Sequence, residues 1–551
     1  MRRGKIPSVM QRRILPFLLC LAAVASQADA HSHDDMAGMA VPKNLGTVSF
    51  ETSCKPAVRE DFNRGVALLH SFWIPVARET FEHVAATDPG CAMAYWGEAM
   101  ADLHQLFDSP NTDDIARGLE ALKKADAATE TSPRETAYIG ALHGFFDDYA
   151  TVKTPALYVA RTKAYSDAME TLAAAYPKDV EAQIFYALSL LFSDPADDVE
   201  LVNPRHAVAI LNPLLRRFPD HPGIAHYLIH ACDNPHMAQD GLAAARRYAQ
   251  IAPAAPHALH MPAHIYARLG LWQDDIRSNL ASKAASEVKT GPRIGAENRL
   301  HAMEFLEYAY LQIGHENEAR AILNEARTVK ASDVDPQVND YYPQVEARYA
   351  TLLAIETHDW TAAAHLEPVK GAPWYVQDFA LLAHAVAAAH THDAKAAQEA
   401  ADAVDALLPK DPPPQLRPGG TAAARMDEIH AWALFARGDV DGAIARLRPV
   451  AERQAQIGKG EVELPAREML AEMELLSGRT ADALRDYQAS LVSDPNRYNG
   501  LLGAAEAAEK LGKTDVAVGY YRTLLQNCAG ANGAAVLPVL THARAVVAAR
   551  S

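Results

Sequence analysis

Residues 471–525 read AEMELLSGRTADALRDYQASLVSDPNRYNGLLGAAEAAEKLGKTDVAVGYYRTLL, and they contain one pattern twice. Ala471, Gly478, Thr480, Ala483 and Tyr487 return 34 residues later as Ala505, Gly512, Thr514, Ala517 and Tyr521. Each copy predicts a helix, a short turn at the glycine and a second helix. The pair ends at a polar loop such as Asp494-Pro495. A helix pair of this kind has two apolar stripes and buries both only by stacking on the next pair. A repeat array is therefore expected.

The same signs appear upstream. Gly65, Ala77, Phe81 and Pro89 stand at matching spacings, as do Ile313-Gly314 with Ala319 and Leu323, and Arg437-Gly438-Asp439 with Ala443 and Leu447. These residues resemble the tetratricopeptide repeat (TPR), whose small residue, turn glycine, alanine, aromatic and proline follow in that order. The resemblance covers most of the chain and implies an all-α fold, a solenoid of stacked antiparallel helix pairs, arranged as two arrays. It also implies that the first helix of each pair lines a concave groove and that partners are proteins or peptides. Fold alone says nothing of chemistry.

Composition agrees. The 551 residues are 49% hydrophobic and 22% charged, too apolar for a disordered chain. Alanine is abundant, aromatic residues are scarce and no stretch alternates with period two, which argues against a β fold. A formal charge of −17 argues against non-specific nucleic-acid binding.

Residues 1–30 read as a secretory signal peptide. Arg2, Arg3, Lys5, Arg12 and Arg13 precede the apolar run Ile14–Val24, and Ala28 and Ala30 form an A-x-A cleavage site. Cleavage removes five positive charges and one negative charge, taking −17 to −21. The expected location is the periplasm or the cell exterior, as for an exported bacterial-type member of the family. No later stretch predicts a transmembrane helix. Residues 31–50 read as a flexible tail, 51–330 as an N-terminal array, and 331–409 as further helical repeats. Residues 410–425 read as a Pro/Gly linker, and 426–551 as a C-terminal array with a capping helix.

Export permits disulfides. Cys54 and Cys91 each precede a predicted helix, and stacked helices bring such starts together, so a bridge is expected. Cys232 falls on an apolar stripe and reads as a buried free thiol.

The chain has 23 histidines, and they cluster. His226 and His230 recur 34 residues on as His260 and His264, with His257 three residues before His260. Spacings of three and four put them on one helix face, away from the packing residues Leu228, Ile229, Leu259 and Ala263. Aligning Gly270 with Gly314 adds His301, Glu304 and Tyr308 from the next pair. Imidazoles at i, i+4 suit zinc or copper. Glu304 or Asp233 would complete a shell or serve as a base. Three readings stay open. One is a scaffold that binds a peptide, a small polar ligand or a metal in a His-lined groove. The second is a metal-dependent hydrolase or oxidase using the same residues. The third is a structural adaptor of a cell-envelope complex.

Smaller signals remain. Cleavage after Ala30 would expose His31-Ser32-His33, and a free amine with histidine in third place wraps Cu(II) or Ni(II). His70 and His104, with Trp96 and Glu98, either extend the groove or merely end helices. Trp272 reads as a packing residue. There is no H-E-x-x-H, Gly-rich phosphate loop, nucleophile elbow or Cys-x-x-Cys.

Overall fold

The computed structural model describes residues 43–551 except 107–109, 130, 153, 196–197, 288–295, 331–340, 409–420 and 551. Among the described residues the secondary structure is helical, with no β-strand, and successive helices pair antiparallel along the chain. The protein is a TPR-like α-solenoid. The proposed signal peptide and the His31 and His33 motif lie outside the described residues. No described helix is long and apolar enough to cross a membrane.

Two local devices build the repeat. The first is the turn between paired helices, where one residue takes a left-handed backbone. Gly478 and Gly512 do so with φ of +82° and +68°, at no Cβ cost. The second is close approach between pairs. A Cβ on Gly503 would lie 2.1 Å from the Tyr487 ring, and one on Gly97 would lie 2.4 Å from Phe81. The aromatic of one pair thus rests on the bare backbone of the next first helix. Ala471, Ala483, Ala505 and Ala517 are fully buried around these contacts.

Several boundaries move. The tail expected over 31–50 ends sooner, because Leu45 and Phe50 are buried. Phe50 packs against Phe62, Trp96 and Tyr138, and Thr47 N–H donates to the Asp220 carbonyl at 2.9 Å. Apolar side chains there outweigh the Gly-containing local sequence. Of the linker expected over 410–425, residues 410–420 lie outside the described residues, and the rest is helical from Thr421. Residues 42–551 form one compact unit. Cys54 and Cys91 are disulfide-bonded, and Cys232 and Cys528 are buried free thiols.

The C-terminal repeats return onto the middle of the array. Trp272 Nε1–H donates to the Asn496 carbonyl at 2.9 Å, and Tyr308 O–H donates to the Glu463 carbonyl at 3.1 Å. The buried Arg497 guanidinium reaches Tyr308, Glu356 and Glu468. This return lays residues 458–464 across the histidine-rich helices.

Candidate metal centre

The histidines stand on Pro222–Cys232, Pro256–His260, Pro262–Arg268 and Ala296–Gln312. The second and third of these are one rod interrupted at Met261. Pro262 has no N–H to give to Ala258, so a single turn loosens while the backbone stays right-handed.

The side chains sort into two triads, where the sequence suggests one patch. His226, His230 and His257 form the first, and His260, His264 and His301 the second. In the first, His226 Nε2 lies 3.0 Å from His230 Nε2 and 3.1 Å from His257 Nε2. In the second, His260 Nε2 lies 3.0 Å from His264 Nε2. The His260 and His301 rings are 4.3 Å apart between centroids.

Oxygen atoms fix Nδ1 of three of the six rings. His226 Nδ1–H donates to the His70 carbonyl at 2.6 Å. His260 Nδ1–H donates to Asn279 Oδ1 at 2.6 Å, and Asn279 is oriented by Asp275 at 2.7 Å. His264 Nδ1–H donates to Asp233 Oδ2 at 2.8 Å. His301 Nδ1 lies 3.5 Å from Glu304 Oε2. A ring that donates from Nδ1 in this way presents a bare lone pair at Nε2, the arrangement that orients metal-bound histidine.

Protons alone do not satisfy the first triad. The single in-plane lone pair of His226 Nε2 cannot accept well from two neighbours 3 Å away in different directions. One central cation satisfies all three nitrogens. Tetrahedral ligands about 2 Å from zinc or copper stand about 3.3 Å apart, close to the observed separations.

Burial tunes the rings. His226, His257 and His260 are buried. Desolvation first, then the neighbouring imidazoles, hold their pKa values well below the ordinary value. Desolvation takes His230 to about 3. These four rings are neutral at physiological pH, the state a metal requires. His264 differs. Burial opposes its charge, but Asp233 and Glu461 outweigh burial and raise it to about 10. His230, His264 and His301 are the half-buried rings, the last two 12% and 25% exposed.

An aromatic ring walls each triad. Phe72 lies 4.4 Å from His226 and 5.6 Å from both His230 and His257. Phe305 lies 4.7, 5.0 and 5.4 Å from His260, His264 and His301. Phe72 has φ +50°, a left-handed conformation costing about 1–2 kcal/mol for a bulky residue.

Two expected site residues are elsewhere. Tyr308 is buried against Trp272 and bonded to the returning C-terminal segment. Glu304 faces His301 but is held by Arg348 at 2.5 Å, so it orients a ring and is not a free base. Asp233 likewise spends its oxygens on His264 and Arg268.

His70 supports the site from behind. Its carbonyl receives His226, while its ring bonds Glu181 and Tyr227, each at 2.9 Å. His221 bonds the other Glu181 oxygen at 2.9 Å. Burial opposes the Glu181 charge, but the two imidazoles outweigh it and lower its pKa. His104 instead lies 3.5 Å from Asp114. Trp96 packs in the aromatic core, and burial raises Glu98 to about 7.

Sequence reasoning misses Asn279, Arg268 and Glu461. Asn279 had a usable signal. Paired helices meet at an offset of 19 residues, as in Arg467–Asp486 and Asp427–Arg446, and Asn279 is 19 beyond His260. Glu461 had none, since it arrives from 193 residues past Arg268 to bond it at 3.1 Å.

No known family profile matches the chain, and no curated protein matches its sequence. Solved structures do. The P58(IPK) TPR domain is 12% identical over 90% of this chain and 99% of its own, with a TM-score of 0.20. A human IFIT1 dimer bound to m7Gppp-AAAA is 13% identical over 80% and 90%, with a TM-score of 0.33. The Cut9 complex with Hcn1 is 12% identical over 88% and 96%, with a TM-score of 0.28. At such values the functional reading rests on this chain's own side chains.

Proposed function

We infer that this protein is an exported helical-repeat scaffold that binds late first-row transition-metal ions, copper or zinc, in its two imidazole triads. The observation that carries the reading is the first triad's mutual approach, three Nε2 atoms gathered around His226 with its Nδ1 already spent on the His70 carbonyl. Six imidazoles, four of them held neutral, and no thiolate suit these ions. The burial of His226, His257 and His260 favours an ion or a small molecule over a peptide. The engaged state of Asp233 and Glu304 speaks against a carboxylate-assisted hydrolase. The leader-like residues 1–30 and the Cys54–Cys91 bridge support export.

Elemental analysis of untagged protein tests this. The expected result is stoichiometric copper or zinc that falls in a His264→Ala, His301→Ala double variant. Both rings are partly exposed, so the fold survives their loss. No bound ion, with a melting temperature unmoved by added copper or zinc, overturns the reading.

A further inference from the structure

Ring spacings place the triads side by side. Across the boundary, His257 and His260 are 6.2 Å apart between ring centroids, and His230 and His264 are 6.4 Å apart. Within a triad the widest pairs are 6.4 Å, His230–His257, and 6.1 Å, His264–His301. Neighbours across the boundary are thus about as far apart as the widest pair within a triad, while the remaining pairs within one are 4.3–5.0 Å apart. Two ions centred in the triads share one small space and can share one bridging ligand.

The donor set and the walls narrow the choice. Each triad offers three imidazole nitrogens, an ion in the second displacing the His264 proton, and leaves a tetrahedral ion one open position. The carboxylates nearby, Asp233, Glu304 and Glu461, are paired with Arg268 or Arg348, so none is free to bridge. Imidazole sites bind Cu(II) most tightly among divalent first-row ions. Phe72 and Phe305 close the two ends with apolar surface, and the half-buried His230, His264 and His301 mark the wetter edge. A small, weakly polar molecule fits this surround better than an ion or an extended substrate.

We propose that the two triads form one dinuclear copper centre whose substrate is dioxygen. The proposal rests on the metal-binding reading above and adds to it the pairing of the ions and the identity of their ligand. Electron counting sets the chemistry. Each of two Cu(I) ions gives one electron, and one dioxygen takes both with two solvent protons. It leaves as hydrogen peroxide, with its oxygen–oxygen bond order reduced from two to one, and two Cu(II) ions remain. Phe72 and Phe305 exclude water from the reacting space, and the His70 carbonyl, Asn279 and Asp233 hold the rings in register.

The test uses the full chain, loaded without oxygen with Cu(I), then exposed to air in the presence of a superoxide-trapping dye. The expected result is two coppers per chain, one peroxide per two coppers and no reaction of the dye. The Cu(II) product should show an electron-paramagnetic signal at least tenfold below its copper content, because adjacent spins couple. His301→Ala should bind one copper fewer and recover about one full spin per chain. A circular-dichroism melt confirms that it is folded. Two coppers with full spin intensity, one copper only, or one trapped superoxide per copper overturns the pairing and leaves metal binding standing. A silent signal with two coppers in His301→Ala also overturns it. Failure to load any copper overturns this proposal, and failure to bind zinc as well overturns the metal-binding reading with it.

Discussion

Positions flanking the small residue of a first helix hold opposite chemistry in two parts of this molecule. Three residues before Ala263 and one after it stand His260 and His264, and around Ala471 the same positions hold Glu468 and Glu472. In the C-terminal repeats the chain closes its own charges. Glu468 takes two hydrogen bonds from Arg497, which also reaches Glu356 at 2.7 Å. Glu472 lies 3.2 Å from His390. In the middle repeats like meets like, imidazole against imidazole, with ring nitrogens 3 Å apart and opposing charge only on the His264 side. One repeat position thus serves as an internal fastener where its complement is in the sequence. Where it meets mostly copies of itself, it has few complements of its own and is left to the proposed ions.

The largest break in that comparison is Arg497→Ala. It leaves Glu356 and Glu468 buried without a counter-charge, a loss of about 3–5 kcal/mol. Denaturant unfolding of the variant measures this, and added copper should not restore it. A loss below about 1 kcal/mol would mean that water already reaches the cluster.

Metal sharpens the other side. Copper at 100 times its dissociation constant should raise the stability of the natural protein by about 2.7 kcal/mol. His264→Ala with His301→Ala should lose the second triad's share of that gain, keep the first triad's, and keep its helical signal. His260 is a poor choice for this test. It is buried against Asn279, so alanine there removes packing and orphans an amide as well as a ligand.

Glu428 is an exception within the fastened region. Burial first, then Glu463, raises its carboxyl to about 8 despite Arg425. The native state holds a proton there that the unfolded chain releases near pH 4.5. Stability therefore falls as pH rises from about 4.5 to about 8, and the cost is complete above that window. Glu428→Gln should remove up to about 5 kcal/mol of this decline. Unfolding midpoints at pH 5 and pH 8.5 check it. An unchanged slope would place the charge in contact with solvent.

How much of this was legible follows from the range of the forces. The helical repeat was readable because its signals are local: a turn glycine, a small residue and an aromatic at fixed offsets. The clustering of His226, His230, His257, His260, His264 and His301 was readable for the same reason, since adjacent first helices convert a 34-residue offset into proximity. Their division into two triads depends on ring rotation, which Nδ1 partners such as Asn279 set from the second helices. The displacement of Tyr308 and the arrival of Glu461 depend on the C-terminal repeats returning across the middle of the array. No local pattern encodes that return. Phe50 escaped notice because a short apolar residue in a polar tail has no periodicity.

The smallest effects test whether the packing logic is as local as the repeat suggests. Gly503 and Gly519 are both helical, on the first and second helices of the same pair. Gly503 faces the Tyr487 ring, which a Cβ would meet at 2.1 Å, whereas Gly519 has nothing within 4 Å. Gly503→Ala should therefore destabilise by about 1–3 kcal/mol, because a buried ring must leave its place. Gly519→Ala should stabilise by about 0.5–1 kcal/mol, since it restricts the unfolded chain and meets no atom. Thermal unfolding of both variants reads the pair directly. Equal signs would contradict the arrangement, because helix propensity acts on both positions alike and only the aromatic contact separates them.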